Sequence, residues 1–203
     1  MSKLAFGLAG AGGVAGTGAF AAYQSGLLSP KPLTVKEALS KDGYQVVEED
    51  EKFKEFFKEF KSSQDFLKEL DNHKKEGDDL SKDDDGNKGK EALKSLCSTY
   101  FNSTDKLDNA IKWCVLRIQD KKLTTGSWIN IATDDSDKSD WITAFEKSKE
   151  SMIKSGVKEI TANIQKEQGF SHVKKWCSDN KKLPINNNNA GILENAISWC
   201  SKA

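Results

Sequence analysis

Thiols and imidazoles are the side chains most readily read for chemistry, and this chain has four of one and two of the other: Cys97, Cys114, Cys177 and Cys200, with His73 and His172. No C-x-x-C occurs, and neither histidine stands at a zinc-ligand spacing from a cysteine, so disulfides or buried free thiols are expected rather than a metal centre. Ser81-Lys82-Asp83-Asp84-Asp85-Gly86-Asn87 resembles the start of a calcium loop. With Gly86 in the sixth position, however, the twelfth falls on Ala92, where a bidentate Glu is required. There is no nucleophile elbow, no phosphate-binding glycine loop and no histidine in a triad-like context. The chain therefore reads as a non-enzyme, with no catalytic, cofactor-binding or metal residue to assign. Lys174, Lys175, Lys181 and Lys182 form a small basic cluster, expected as a solvated helix end. Asn102-Ser103-Thr104 fits a glycosylation acceptor, to which no role is given.

The elements that position the cysteines emerge from self-similarity. Leu107-Asp-Asn-Ala-Ile-Lys-Trp-Cys114 returns as Leu193-Glu-Asn-Ala-Ile-Ser-Trp-Cys200, identical at six of eight positions at an offset of 86. Ser95-Leu96-Cys97-Ser98 answers Lys175-Trp176-Cys177-Ser178 at an offset of 80. Phe56-x-x-x-Phe60 answers Trp141-x-x-x-Phe145, and Tyr44–Val47 roughly matches Trp128–Ile131. The common order and near-constant offset predict two tandem pseudo-repeats, 31–118 and 119–203, following an N-terminal segment 1–30.

Each copy is expected to open on a short β-like run, Tyr44–Val47 or Trp128–Ala132, followed by acidic residues suited to a helix N-terminus. Phe53, Phe56, Phe57, Phe60, Leu67 and Leu70 recur at helical spacing and predict one long apolar stripe. In the second copy Trp141, Ala144, Phe145 and Met152 share a face. Further helices are predicted from Ala92, Leu93, Leu96, Cys97 and Tyr100, from Val157, Ile160 and Ile164, and from Val173, Trp176 and Cys177. The last helix of each copy is expected to start near Asp105 or Gly191, with Asp108 or Glu194 closing a capping-box-like pattern. Glu76–Lys90 and Pro184–Gly191 read as exposed loops. The fold class is mainly α with minor β.

All four cysteines occupy repeat-equivalent positions. A unit that once folded alone needs its partner within itself, which selects Cys97–Cys114 and Cys177–Cys200 from the three pairings open to four cysteines. Free thiols buried beside Trp are the competing arrangement. Disulfides persist in oxidising compartments. No charged side chain occurs from Leu4 to Pro30, and residues 4–28 are long enough to span a bilayer core, although seven glycines interrupt them. An uncleaved anchor is expected there; a signal cleaved near Ala19-Phe20-Ala21 is the alternative. Either places the remainder outside the cytoplasm, as an extracellular ectodomain on the cell membrane or as a secreted protein.

Charge excludes more than it identifies. The 31 Lys+Arg balance 31 Asp+Glu, which removes a strongly basic nucleic-acid binder, and the charged fraction of 31% removes a polytopic membrane protein. The five Trp and ten Phe argue against wholesale disorder. Of the cations only Arg117 is arginine, a skew expected of an A+T-rich genome. Segments 29–118 and 119–203 carry net charges of −3 and +2, a mild complementarity.

Lys112-Trp113-Cys114-Val115-Leu116-Arg117-Ile118-Gln119-Asp120-Lys121, Val173-Lys174-Lys175-Trp176-Cys177, Trp199-Cys200 and the Gly/Ala-rich start carry a family likeness. Over essentially its full length the chain resembles the paralogous families of short uncharacterised proteins of haemotropic mycoplasmas. The resemblance implies a wall-less parasite of red blood cells, and surface display, antigenic variation or host contact as the roles to expect. It carries no catalytic or binding residue across. The expected function is a non-enzymatic, membrane-anchored surface protein that meets a host surface protein and not nucleic acid. Its variable face would be the loops 76–90 and 184–191. The alternative is a soluble secreted carrier holding a small apolar or haem-like ligand between the repeats.

Overall fold

The computed structural model describes residues 31–131 and 137–202. The expected span 4–28 lies outside them; among the described residues no helix is long and apolar enough to cross a membrane. The first helix, α1 (Val35–Lys41), is set by a capping box. Glu37 N–H donates to the Thr34 hydroxyl at 3.3 Å, and Thr34 N–H donates to the Glu37 carboxylate at 2.7 Å. α2 (Asp50–Phe60) starts on Asp50 and Glu51, whose charges suit the positive end of the helix dipole, and buries Phe53, Phe56 and Phe57.

The long stripe expected from Phe53 to Leu70 is two helices, not one. Ser63 accepts the Phe66 N–H and starts α3 (Gln64–Leu70). The stripe's apolar residues stay together across the break, because the Phe57 and Phe60 rings lie 6.3 and 5.7 Å from Phe66. α4 (Asn87–Asn102) and α5 (Leu107–Trp113) complete this part of the chain. Beyond it come β1 (Ser127–Trp128), α6 (Lys138–Lys154), α7 (Lys166–Asn180), α8 (Ala190–Trp199) and β2 (Ser201–Lys202). The result is mainly helical, with β1 and β2 paired antiparallel as a minimal sheet.

Several expectations are corrected. The run 44–47 forms only an isolated bridge, Val46 with Val115, because a one-residue ladder has no neighbour to extend it. The run 128–132 contributes only Trp128 to a strand; Ala132 lies outside the described residues. No helix forms at 157–164. Gly156, at φ +74°, ends α6 in a conformation that L side chains rarely adopt, and the chain then proceeds by turns. Lys149 Nζ donates to the carbonyls of Ala162 (2.7 Å) and Ile164 (2.9 Å), which helical neighbours would otherwise satisfy. Neither capping box forms on the closing helices: Lys106 and Asn189 cap without a side-chain bond. Ahead of α8 the capping side chain is instead Asn186, which accepts the Asn189 N–H at 2.9 Å and sets a 3-10 turn running into the helix.

Residues Leu33–Ala203 form one unit containing two apolar clusters. The first gathers α1 to α5 around Phe56, Phe57, Phe66, Leu93 and Trp113; the second gathers α6 to α8 around Trp141, Phe145, Val173 and Trp199. In each, a glycine on one helix admits an aromatic ring from another. A Cβ on Gly89 would collide with the Phe57 ring, and one on Gly169 with the Phe145 ring. The loops expected to be exposed are anchored. Leu80 and Asp83 are buried in the first, and Ile185 and Asn186 in the second. Asp83 is held inside because its carboxylate accepts the Gly89 N–H at 2.7 Å.

Candidate functional site

Two disulfides tie helix to helix. Cys97 in α4 pairs with Cys114 at the end of α5, and Cys177 in α7 pairs with Cys200 at the end of α8, with Cα separations of 5.6 and 5.8 Å. Each second cysteine is also a backbone acceptor. Val47 N–H donates to the Cys114 carbonyl and Ile129 N–H to the Cys200 carbonyl, both at 2.9 Å. Each disulfide thus fixes a helix end and the extended segment beside it. The other candidates do not converge with the cysteines. His73 shares a hydrogen bond with Ser95 at 3.1 Å, and burial pushes its imidazole pKa below the ordinary value. The acidic loop spends its carboxylates locally: Asp79 accepts from Ser81, Asp85 from Asn87, and Asp84 pairs with Lys61. Among the described residues no group of three or more His, Cys, Asp or Glu side chains is arranged to hold a metal.

The junction between the clusters is built from residues that sequence reasoning passed over. Leu116 N–H donates to the Gln45 carbonyl and Ile118 N–H to the Leu183 carbonyl, while Gln45 N–H reaches the Ile185 carbonyl. Arg117 sits at their centre. Its guanidinium lies over the Phe56 and Phe60 rings, at 4.6 and 5.6 Å from their centroids. It forms a forked pair with Glu59 and bonds Asp120 at 2.8 Å. Burial disfavours its charge, but the hydrogen bonds to Glu59 and Asp120 outweigh that and raise its pKa; Arg117 in turn holds Glu59 below the usual carboxylate value. Lysine has no such fork and could not make both halves of this contact at once. The arginine's uniqueness was visible in the sequence as a count; its geometry was not.

Lys181 corrects the expectation of a solvated basic cluster. It is 3% exposed, and its Nζ donates to the Ile129 carbonyl at 2.9 Å. The ammonium lies 4.9 Å from the Trp128 ring centroid and 6.0 Å from that of Trp141. No carboxylate among the described residues pairs with it, and burial pushes its pKa down to about 8.

Beside this junction a cleft of about 700 Å³ opens between segment 45–52 and segment 116–128. Val46, Leu116, Leu123 and half-buried Trp128 give it apolar surface. Trp128 is held by its indole N–H, which donates to the Lys121 carbonyl at 3.0 Å. Glu48 and Glu49 come from one segment and Lys121 and Lys122 from the other. The volume is in the range of small-molecule sites, and such sites favour the seams between packed units. No family model matches the chain, and neither a curated protein nor a solved structure matches it.

Proposed function

We propose that this chain is a non-enzymatic surface protein, anchored through residues 4–28, whose duplicated, disulfide-stapled helical part is displayed outside the cell. The observation that carries the reading is one disulfide within each apolar cluster, with no free cysteine left over among the described residues. Thiols consumed in this way support an oxidising compartment, where disulfides persist. The duplication is supported by recurrences of backbone detail as well as of sequence. Val35 N–H donates to Ser103 O as Ile118 N–H does to Leu183 O, which favours a second copy opening at Ile118 rather than after it. A glycine–ring contact occurs in each half, Gly89 with Phe57 and Gly169 with Phe145, a match three residues out of phase with the pairing of Phe60 and Phe145. The likeness of the Trp-Cys elements to those of haemotropic mycoplasma families points to host contact or antigen display. The exposed residues of loop 76–86 are the surface to vary; segment 184–191 is partly buried and suits that role less well.

Protease shaving of intact cells tests the display. Loss of the 31–203 part while cytosolic markers stay intact is expected; its protection alongside those markers would overturn the reading. A secreted carrier is favoured by one observation, the junction cleft, although the charged side chains lining it fit a purely apolar ligand poorly.

A further inference from the structure

We propose that the junction cleft binds a short peptide with free termini, its ammonium held by Glu48 and Glu49 and its carboxylate by Lys121 and Lys122. This goes beyond surface display and does not depend on it. The four charged groups carry the argument. The described residues form many ion pairs, including Lys52 with Glu55 and Arg117 with Asp120 at the edge of the same cleft. Glu48, Glu49, Lys121 and Lys122 pair with none of them, and they do not pair across the cleft with each other. Two carboxylates and two ammoniums line one apolar-floored cavity without neutralising one another.

Ligand classes separate on that chemistry. A wholly apolar ligand would displace water from the cleft-facing sides of these exposed or half-buried charges and return nothing to them. A simple anion or a simple cation would satisfy one chain segment and leave the other unpaired. A zwitterion satisfies both, and charged partners give the stronger hydrogen bonds. Among zwitterions, a quaternary ammonium head group needs an open aromatic face. The Trp128 ring already has the Lys181 ammonium 4.9 Å from its centroid, and a second cation on the same indole would meet like charge. An apolar side chain on Trp128, Val46 and Leu123 meets no such objection. The cavity of about 700 Å³ exceeds what a single amino acid fills, so a peptide of a few residues is the matching size.

Calorimetric titration of the full-length chain with the tripeptide Ala-Leu-Ala is the test, run beside its N-acetyl form, its C-terminal amide, decanoate and phosphocholine. The free tripeptide is expected to bind saturably, and blocking either terminus to weaken it about tenfold or more. Glu48→Gln/Glu49→Gln should abolish the penalty for acetylation and leave that for amidation; Lys121→Gln/Lys122→Gln should do the reverse. These side chains are half-buried or exposed, and an unchanged melting curve certifies each variant's fold. Absence of saturable heat with the free tripeptide would overturn the proposal. So would decanoate or phosphocholine binding as tightly as the tripeptide, or variants that weaken every peptide form alike.

Discussion

The two apolar clusters close in the same way but meet the junction through cations that are compensated differently. Each ends on a Trp-Cys helix stapled to the helix before it, with an extended segment bonded to the second cysteine's carbonyl. Yet the first cluster meets the junction through Arg117, whose charge is answered by Glu59 and Asp120, and the second through Lys181, whose charge is answered by no described carboxylate. Alike in these closing devices, the clusters differ in that one cation is ion-paired and the other meets no described carboxylate. The lesson is that the closing devices are shared, whereas the polar chemistry of each half is its own.

The largest expected effects come from the staples. Each closes a loop of 17 or 23 residues, worth about 3 kcal/mol in the chain-entropy model. Among the described residues the first cluster has 18 buried residues and the second 13, so the second is expected to lean harder on its staple. Cys177→Ala/Cys200→Ala should therefore release the amides of α7 and α8 to hydrogen exchange while α2 and α4 stay protected. Cys97→Ala/Cys114→Ala should lower the denaturant midpoint similarly but leave most of α4 protected, since Ala92, Leu93 and Leu96 remain packed. Equal loss of protection in both halves would remove the asymmetry.

Lys181 gives the next effect and sharpens the contrast with Arg117. Its pKa is lowered by burial from 10.5 to about 8. Between those values the unfolded chain binds the proton and the folded chain does not, so stability rises with pH across about 8 to 10.5. The gain is on the order of 3 kcal/mol. Chemical denaturation at pH 7.5 and 9.5 should show a little over half of it, about 2 kcal/mol, and Lys181→Met should be more stable at pH 7.5 and flat across the window. A wild-type midpoint that does not rise would mean that the ammonium finds compensation after all. Arg117→Met should behave oppositely, losing stability throughout this window because it strands the ionised Glu59 and Asp120. The loss should shrink only in acid, where those carboxylates are protonated.

What the sequence disclosed follows from how locally each feature is encoded. The helical character of 87–102 and 107–113 lay in apolar spacing over a few turns, and both pairs of Trp-Cys landmarks stood out by recurrence. The break at Ser63 was hidden because the phenylalanines on either side keep helical phase even though the backbone does not. Ile160 and the half-buried Val157 and Ile164 face the core from turns, so their spacing mimicked a helix whose start at Gly156 is forbidden by the stop it makes for α6. Lys181 and Arg117 were illegible for a different reason. Their burial is decided by residues far away in sequence, Ile129 and Trp128 in one case and Glu59 in the other. No local pattern distinguishes Lys181 from the surface lysines around it, and the singularity of Arg117 does not tell what it touches.

The smallest expected effect tests whether the shared closing devices are equivalent. Gly89 and Gly169 each leave room for a ring, and a Cβ at either would overlap Phe57 or Phe145. Alanine favours a helix interior by about 1 kcal/mol over glycine, so in the absence of the ring each substitution would stabilise. The overlap reverses that sign, because forcing a methyl into a filled core costs about 1–3 kcal/mol. Phe57 is wholly buried and touches Phe66, so it has little freedom to yield; Phe145 meets the Lys149 ammonium 5.7 Å from its ring centroid and, among the described residues, pairs with no second ring. Gly89→Ala should therefore lower the melting temperature more than Gly169→Ala. Pairing each with its ring reduced, Phe57→Leu or Phe145→Leu, should recover part of the loss if overlap is the cause. Equal shifts would make the two contacts interchangeable, and a rise in either melting temperature would show that the ring moves aside at no cost.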